Sequence, residues 1–253
     1  MAFFDLPDFD DHEQVVFCSD KASGLKAIIA IHNTALGPAV GGCRLWDYAS
    51  DEEAVMDVLR LSKGMTYKNA MAGLKMGGGK SVIIGDAKSI KSEALFKAFG
   101  KALNQLNGRY LSAEDVNITT DDIAIANTVT PFVTGTVGKS GNPGPFTALG
   151  TFLGIKACVK HKFNRDDLTG LKVAVQGLGS VGYALCEHLF NAGATLFVTD
   201  INQEALDKAA TQLNATVVGL DDIYDQEVDV YAPCALGASI NDNTIKRLKA
   251  KIA

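Results

Sequence analysis

No stretch of the 253-residue chain carries 18 consecutive apolar residues, so nothing in it reads as a membrane-spanning helix. Cysteine is sparse: Cys18, Cys43, Cys158, Cys186 and Cys234 are odd in number, widely spaced and include no C-x-x-C. That excludes a disulfide framework and a cysteine zinc site, and it fits a reducing cytoplasm. The histidines His12, His32, His161 and His188 are scattered with no partner at metal spacing. They read as structural or surface groups, and no metal is expected. No block is dense in Lys and Arg, and 24 basic against 29 acidic residues leave a net charge of −5. This argues against an electrostatic binder of nucleic acid or of an anionic membrane. The acidic start, MAFFDLPDFDDHEQ, lacks the basic and apolar regions of a secretory signal.

What is present is apolar residues, 47% of the chain, and glycine, 25 of them. The first allows a buried core and excludes disorder; the length fits two modest domains. The glycines cluster at 41–42, 77–79, 135–144 and at 177, 179 and 182. Glycine lets backbone come close to a ligand, so chemistry is sought there.

Val15 to Phe17 and Leu25 to Ile31 are strand-like runs around a turn at 20–24. Ser50 to Glu53 is a capping-box pattern followed by Ala54, Val55, Val58, Leu59 and Ser62, which predicts a helix to about Met65. Ser81 to Gly85 reads as a short buried strand, Leu95 to Leu106 as a helix stopped at Gly108, and Arg109 to Ser112 as a strand. Glycine- and proline-rich residues 134–146 lack periodicity and are expected to be a hinge linker. Beyond it a helix opens at Thr147, and strands and helices alternate from Leu171 to Ala232, the pattern of a parallel sheet. The fold class is therefore α/β: an N-terminal α/β domain over 1–133 and a Rossmann-like doubly wound domain over 147–253.

The run Leu171 to Gln176 enters Gly177-Leu178-Gly179-Ser180-Val181-Gly182, a G-x-G-x-x-G between a strand and a helix. In this pattern the first glycine turns tightly, the second admits a pyrophosphate against backbone and the third lets helix pack on strand. The phosphate then meets the helix N-terminus. Asp200 follows at the end of the next strand, placed to accept hydrogen bonds from ribose hydroxyls and to repel a 2′-phosphate. Ile201, beside it, and the residues after it offer no arginine for that phosphate. NAD is thus expected over NADP.

Gly77-Gly78-Gly79-Lys80-Ser81 invites a P-loop reading, but that motif needs glycine where Leu74 stands, and a strand follows where a helix should. Lys68 and Lys80 flank a stretch whose only other charge is Lys75. Solvated surface lysines are one reading. The other is a desolvated lysine whose lowered pKa makes it a base, with its neighbour holding a carboxylate.

Several strings carry a resemblance over essentially the whole chain: Gly41-Gly42-Cys43-Arg44, Lys63 to Asn69, Gly77 to Lys80, Gly108-Arg109-Tyr110, Ala113-Glu114-Asp115-Val116 and Tyr231 to Gly237. Together they resemble the Glu/Leu/Phe/Val amino acid dehydrogenase family, the leucine dehydrogenases above all. The resemblance implies NAD-dependent oxidation of a branched-chain L-amino acid to its 2-oxo acid and ammonium, in a cleft between a substrate domain and a Rossmann domain. It also implies homo-oligomers, octamers in the leucine group, built on the N-terminal domain. By motif, Lys68 binds the substrate carboxylate, Lys80 activates the attacking water and Asp115 relays a proton from the amino group. Val40, Gly41, Met65 and Ala113 line the side-chain pocket, with nothing basic there to favour glutamate. Thr147 contacts the nicotinamide amide, and Pro233, Cys234 and Ala235 pass beside the cofactor. Cys234 reads as packing rather than chemistry.

Cys43 and Asn117 depart from the family pattern, where threonine and glycine are common. The family pattern also continues past Ala253 into an asparagine-bearing loop and the last Rossmann elements, so the second domain is expected to be incomplete here. This opens a second reading, a non-catalytic NAD-binding or assembly fragment. An NAD-sensing regulator fits less well, because it leaves the lysine pair unexplained.

Overall fold

Val15, Val16 and Phe17 lie across a tight turn from the Leu25 to Ile31 run in the computed structural model, which describes residues 3–135, 143–237 and 239–253. The two segments are β1 (Gln14–Asp20) and β2 (Leu25–Asn33), antiparallel with Gln14 opposite Ile31. Next come β3 (Ala39–Trp46), α1 (Asp51–Met71), β4 (Gly77–Ile84), α2 (Ala87–Ile90), α3 (Glu93–Gln105), β5 (Tyr110–Glu114) and α4 (Thr120–Asn127). The five strands form one mixed sheet in the order β1-β2-β4-β3-β5, antiparallel up to β4 and parallel beyond it. Ala54, Val55, Val58 and Leu59 of α1 cover one face with Ile28, Ala30 and Val82. Leu95, Phe96, Phe99 and Leu103 of α3 cover the other with Ile29, Ile31, Leu45 and Ile83. Removing a side chain as buried as Leu59 would cost about 2–5 kcal/mol.

Two boundaries differ from the sequence reading, for tertiary reasons. The Ser50 hydroxyl caps α1 by accepting the Glu53 N–H at 3.2 Å, and Glu53 returns a bond to the N–H of Ala49, one residue before the cap. The helix then runs to Met71 rather than Met65, because Asn69 is buried and donates to the Gly77 carbonyl at 2.7 Å, tying the last turns to β4. β4 in turn starts at Gly77, not Ser81, since the glycines pair with both neighbours: Gly77 opposite Ala39, Gly79 opposite Ile31. A Cβ at Gly78 would stand 2.0 Å from the Thr66 amide nitrogen, so the close approach of α1 requires glycine there.

The chain divides into two compact units, residues 1–142 and 143–253. Most of the hinge expected over 134–146 falls on 136–142, outside the described residues. The second unit contains α5 (Gly144–Phe163), β6 (Lys172–Gln176), α6 (Ser180–Asn191), β7 (Thr195–Thr199), α7 (Gln203–Leu213), β8 (Thr216–Val217) and β9 (Val230–Pro233). Its sheet is wholly parallel in the order β8-β7-β6-β9. α5, α6 and α7 bury Ile155, Val159, Leu185, Leu189, Leu206 and Leu213 against one face. Ile223, Tyr224, Val228 and Tyr231 fill the other side around Ala174. Ile252 adds a parallel bridge to Val230 at the β9 edge. Among the described residues no helix is long and apolar enough to cross a membrane.

Candidate active site

Strands β3, β4 and β5 bring a short chain of charge together on the face that α1 covers. Lys80, in mid-β4, is 4% exposed, and its ammonium lies 2.9 Å from Oδ1 of Asp115, which directly follows β5. Nε of Arg44, on β3, donates to Oδ2 of the same carboxylate at 3.0 Å. Burial pushes Lys80 below the usual lysine range, against the pull of Asp115. Burial alone would raise Asp115, but Lys80 and Arg44 together hold it below the usual carboxylate range. The two shifts are compatible because the anion has two cations and Lys80 only one counter-charge. The arrangement is a buried amine inclined to lose its proton beside a carboxylate inclined to stay ionised.

The other candidates from the first unit lie on α1, β3 and β5. Lys68 is exposed in the last turn of α1, and Met65 is half-buried one turn earlier. Val40 pairs with Gly78 and Leu111; Gly41 pairs with Ser112; Ala113, half-buried, pairs with Gly42. A Cβ at Gly41 would come 3.3 Å from Cγ of Met65, so a side chain there would press on Met65 across the sheet–helix interface. Tyr110 braces the same strands by donating its hydroxyl to the Gly41 carbonyl at 2.8 Å, with its oxygen 3.0 Å from the Ser81 hydroxyl. Gly77 to Gly79 are strand residues in a ladder, which settles the P-loop comparison in favour of the strand.

Arg44 and Asp57 had no role in the sequence reading. Asp57 is a buried acid on α1 whose Oδ2 accepts from Arg44 at 2.8 Å and from the Tyr48 hydroxyl at 2.7 Å. Arg60 reaches its other oxygen at 3.2 Å. One signal was available: position 57 is three residues after Ala54, on the buried stripe, where an acid needs a cation.

In the second unit the glycine run sits at the carboxyl ends of the strands. Gly177 follows β6 with φ +93°, and its amide donates to the Thr199 carbonyl at 2.8 Å. A Cβ at Gly182 would stand 1.9 Å from the Gly177 carbonyl oxygen, so α6 can lie against the turn only without a side chain there. Gly179 is the N-cap of α6 and supplies no capping side chain, whereas Asn202 caps α7. The first turn of α6 contains Ser180, Val181 and Gly182 and receives no side-chain cap from Gly179. Leu178, Gly179, Ser180, Tyr183, Asn202 and Lys208 line a cleft of about 580 Å³ beside it. Asp200, just past β7, accepts from the Leu178 N–H and from the Asn202 N–H at 2.7 Å, leaving further lone pairs on each oxygen. Ile201, 86% exposed, is next to it. The loop after β9 closes on the turn: Cys234 donates its N–H to the Gln176 carbonyl at 2.8 Å, and Ala235 backbone would be 2.7 Å from a Cβ at Gly177. Strand order reverses between β6 and β9, the position where parallel sheets bind ligands. These features fit a dinucleotide: a glycine turn that a side chain would fill, a helix whose N-cap is glycine, and a carboxylate one strand over. Thr147, exposed in the first turn of α5, donates its hydroxyl to the Pro143 carbonyl at 3.0 Å.

His12 and His32 are both buried in the first unit. His12 is buried, its Nε2 3.0 Å from the Leu59 carbonyl and the Ser62 hydroxyl, and burial pushes its pKa down. His32 shares a 2.8 Å hydrogen bond with the Thr66 hydroxyl, and His188 stacks on Phe152. All five cysteines are free thiols, and burial raises Cys43 and Cys186 to about 12 and Cys234 to about 11. Among the described residues no group of His, Cys, Asp and Glu could hold a metal ion.

The family described as Glu/Leu/Phe/Val dehydrogenase, dimerisation domain, matches residues 12–132. A leucine dehydrogenase of Bacillus cereus is 58% identical over 245 residues, covering 96% of this chain and 67% of that protein. The crystal structure of L-tryptophan dehydrogenase from Nostoc punctiforme superposes with a TM-score of 0.69 at 46% identity, over 96% of this chain and 70% of that one. A glutamate dehydrogenase from Thermus thermophilus shares the fold at a TM-score of 0.78 and 22% identity, over 96% and 66% of the two chains.

Proposed function

The chain belongs to the Glu/Leu/Phe/Val dehydrogenase family, and from that premise we propose that it catalyses NAD-dependent oxidative deamination of a branched-chain L-amino acid. L-leucine is the first substrate, with valine and isoleucine accepted; the products are the 2-oxo acid, ammonium and NADH. The observation that carries this reading is the Lys80–Asp115 pair, a desolvated amine 2.9 Å from an ionised carboxylate. Bound NAD supplies the acceptor for the hydride that leaves Cα.

The chain's own residues do the rest. Gly177 to Gly182 and the α6 N-terminus hold the pyrophosphate, Asp200 the ribose hydroxyls, and Ile201, Thr147, Cys234 and Ala235 flank the cofactor. The Lys68 ammonium binds the substrate carboxylate, fixing Cα for reaction. Asp115 takes a proton from the substrate ammonium, because hydride leaves only from the neutral amine. Lys80 then removes a proton from the water that adds to the imine carbon; collapse of that adduct expels ammonia, which leaves as ammonium. Val40, Gly41, Met65 and Ala113 form an apolar, uncharged pocket, which suits an aliphatic side chain and gives a glutamate carboxylate no partner. Leucine, isoleucine and valine differ by methylenes, so discrimination among them should be about 10–200-fold.

The test is a panel of kcat/KM values for leucine, isoleucine, valine, phenylalanine and glutamate, followed by NADH absorbance. Leucine should lead, and a preference for phenylalanine would reject the pocket assignment. NAD binding without turnover of any amino acid would favour the reading of an NAD-binding assembly fragment. Assembly into homo-oligomers, an octamer by family analogy, is part of the proposal and is checked by solution mass. A cytoplasmic setting accords with five free thiols.

A further inference from the structure

The ion pair at Lys80 does not end at Asp115. Lys80, Asp115, Arg44 and Asp57 alternate in sign, two cations and two anions, through contacts of 2.9, 3.0 and 2.8 Å. The Arg44 and Asp57 side chains are nearly as buried as Lys80, Asp115 is a quarter exposed, and Arg60 at the far end is half exposed. Arg44 spends two different edges of its guanidinium: Nε on Asp115 and a terminal nitrogen on Asp57. Asp57 is itself fixed by the Tyr48 hydroxyl.

This geometry breaks the symmetry of the Asp115 carboxylate. Its two oxygens are chemically equal until a partner distinguishes them, and rotation about the last side-chain bond would exchange them. Here one oxygen is tied to Arg44 and the other faces Lys80. Building on the reading of Lys80 and Asp115 above, we propose that Arg44, anchored by Asp57, is a positioning residue: it occupies Oδ2 of Asp115, leaving Oδ1 to move the proton. The titratable and charged groups that interact with Asp115 are Lys80 from β4, Arg44 and Cys43 from β3, Tyr110 from β5, and Tyr48 next to Asp57. Arg44 is the one among them that holds an oxygen of Asp115 and also pushes both Asp115 and Lys80 toward losing their protons. A lysine there restores the charge but cannot bridge both carboxylates from fixed edges.

Three variants test this: Arg44→Gln, Arg44→Lys and Asp57→Asn, each checked for folding by circular dichroism. Two readouts are compared, the Asp115 protonation midpoint from carboxyl carbon NMR and the pH profile of leucine oxidation. In Arg44→Gln the midpoint should rise by about one pH unit, kcat should fall at least about tenfold, and NAD affinity should be unchanged. Arg44→Lys should recover the midpoint but only part of kcat. Asp57→Asn frees Arg44 from its second anion, so the midpoint should not rise although kcat falls. An Arg44→Gln protein that keeps the wild-type midpoint and kcat, or loses only thermal stability, overturns the proposal. If Arg44→Gln does not fold, an Arg44→Lys or Asp57→Asn protein with wild-type kcat overturns it equally. A wild-type chain that oxidises no amino acid would instead defeat the functional reading, while the NMR midpoint would still decide whether Arg44 holds Asp115.

Discussion

The two units build their candidate sites from opposite materials. In the first, side chains from three strands and a helix converge, and each charge is satisfied by the next: Lys80, Asp115, Arg44, Asp57. In the second, the important atoms belong to the backbone, and what matters is the side chains that are missing at Gly177, Gly179 and Gly182. A buried ion network is sensitive to charge and pH, because removing one member strands its partner. A glycine turn is sensitive to volume, because its function is close approach. The proposed function assigns the chemistry to the first unit and the holding of the cofactor to the second.

The contrast can be broken at several points. Lys80→Ala should lower kcat by about 100- to 10,000-fold, the range of general base catalysis, measured by NADH formation. Gly182→Val places a branched side chain where even a Cβ would be 1.9 Å from the Gly177 carbonyl. It should cost roughly 1–3 kcal/mol in the second unit and weaken NAD binding more than tenfold, seen by calorimetry and nucleotide titration. Asp200→Ala removes the carboxylate that would accept from the ribose, so NAD affinity should fall roughly 10- to 100-fold, and NADP should lose less.

Titration gives a sharper version of the same contrast. The Asp115 carboxyl is held down in the folded chain, so its contribution to stability is complete above its unfolded value of about 3.9 and is lost as pH falls through the folded value. Lys80 is lowered too, so its slope has the same sign in a different window: the folded chain binds its proton less readily, and stability rises with pH from the folded value up to the unfolded value of about 10.4. Melting temperature against pH should show both limbs, and Lys80→Met should erase the alkaline one. The smallest effect is expected for Cys234→Ser, no more than about threefold in kcat/KM, since the Cys234 amide rather than its thiol makes the contact to Gln176.

How far each site could be read from sequence follows from the same difference. The glycine turn is local: Gly177 to Gly182 and Asp200 lie within 24 residues, and strand, turn, helix and acid appear in reading order. The charged cluster is assembled across 71 residues, from Arg44 to Asp115. Lys80 stood out by its sparsely charged surroundings, but Asp115 could be named only through family strings, and the place of Asp57 on the buried stripe of α1 called for a cation without saying that it is Arg44. The same holds for the fold. The hairpin and the parallel alternation were legible from pattern, whereas the start of β4 at Gly77 was not. Three glycines argue against a strand locally, and only pairing to β2 and β3 with Thr66 of α1 pressed against Gly78 makes one. β3 was hidden for a similar reason, its Gly41-Gly42 pair being read as a motif and not as a ladder.

The division of labour is tested most directly by titrating NAD into the Lys80→Ala protein and following nucleotide fluorescence. Separate sites predict the wild-type dissociation constant from a protein that no longer turns over leucine. A loss of NAD affinity that parallels the loss of turnover would contradict the account.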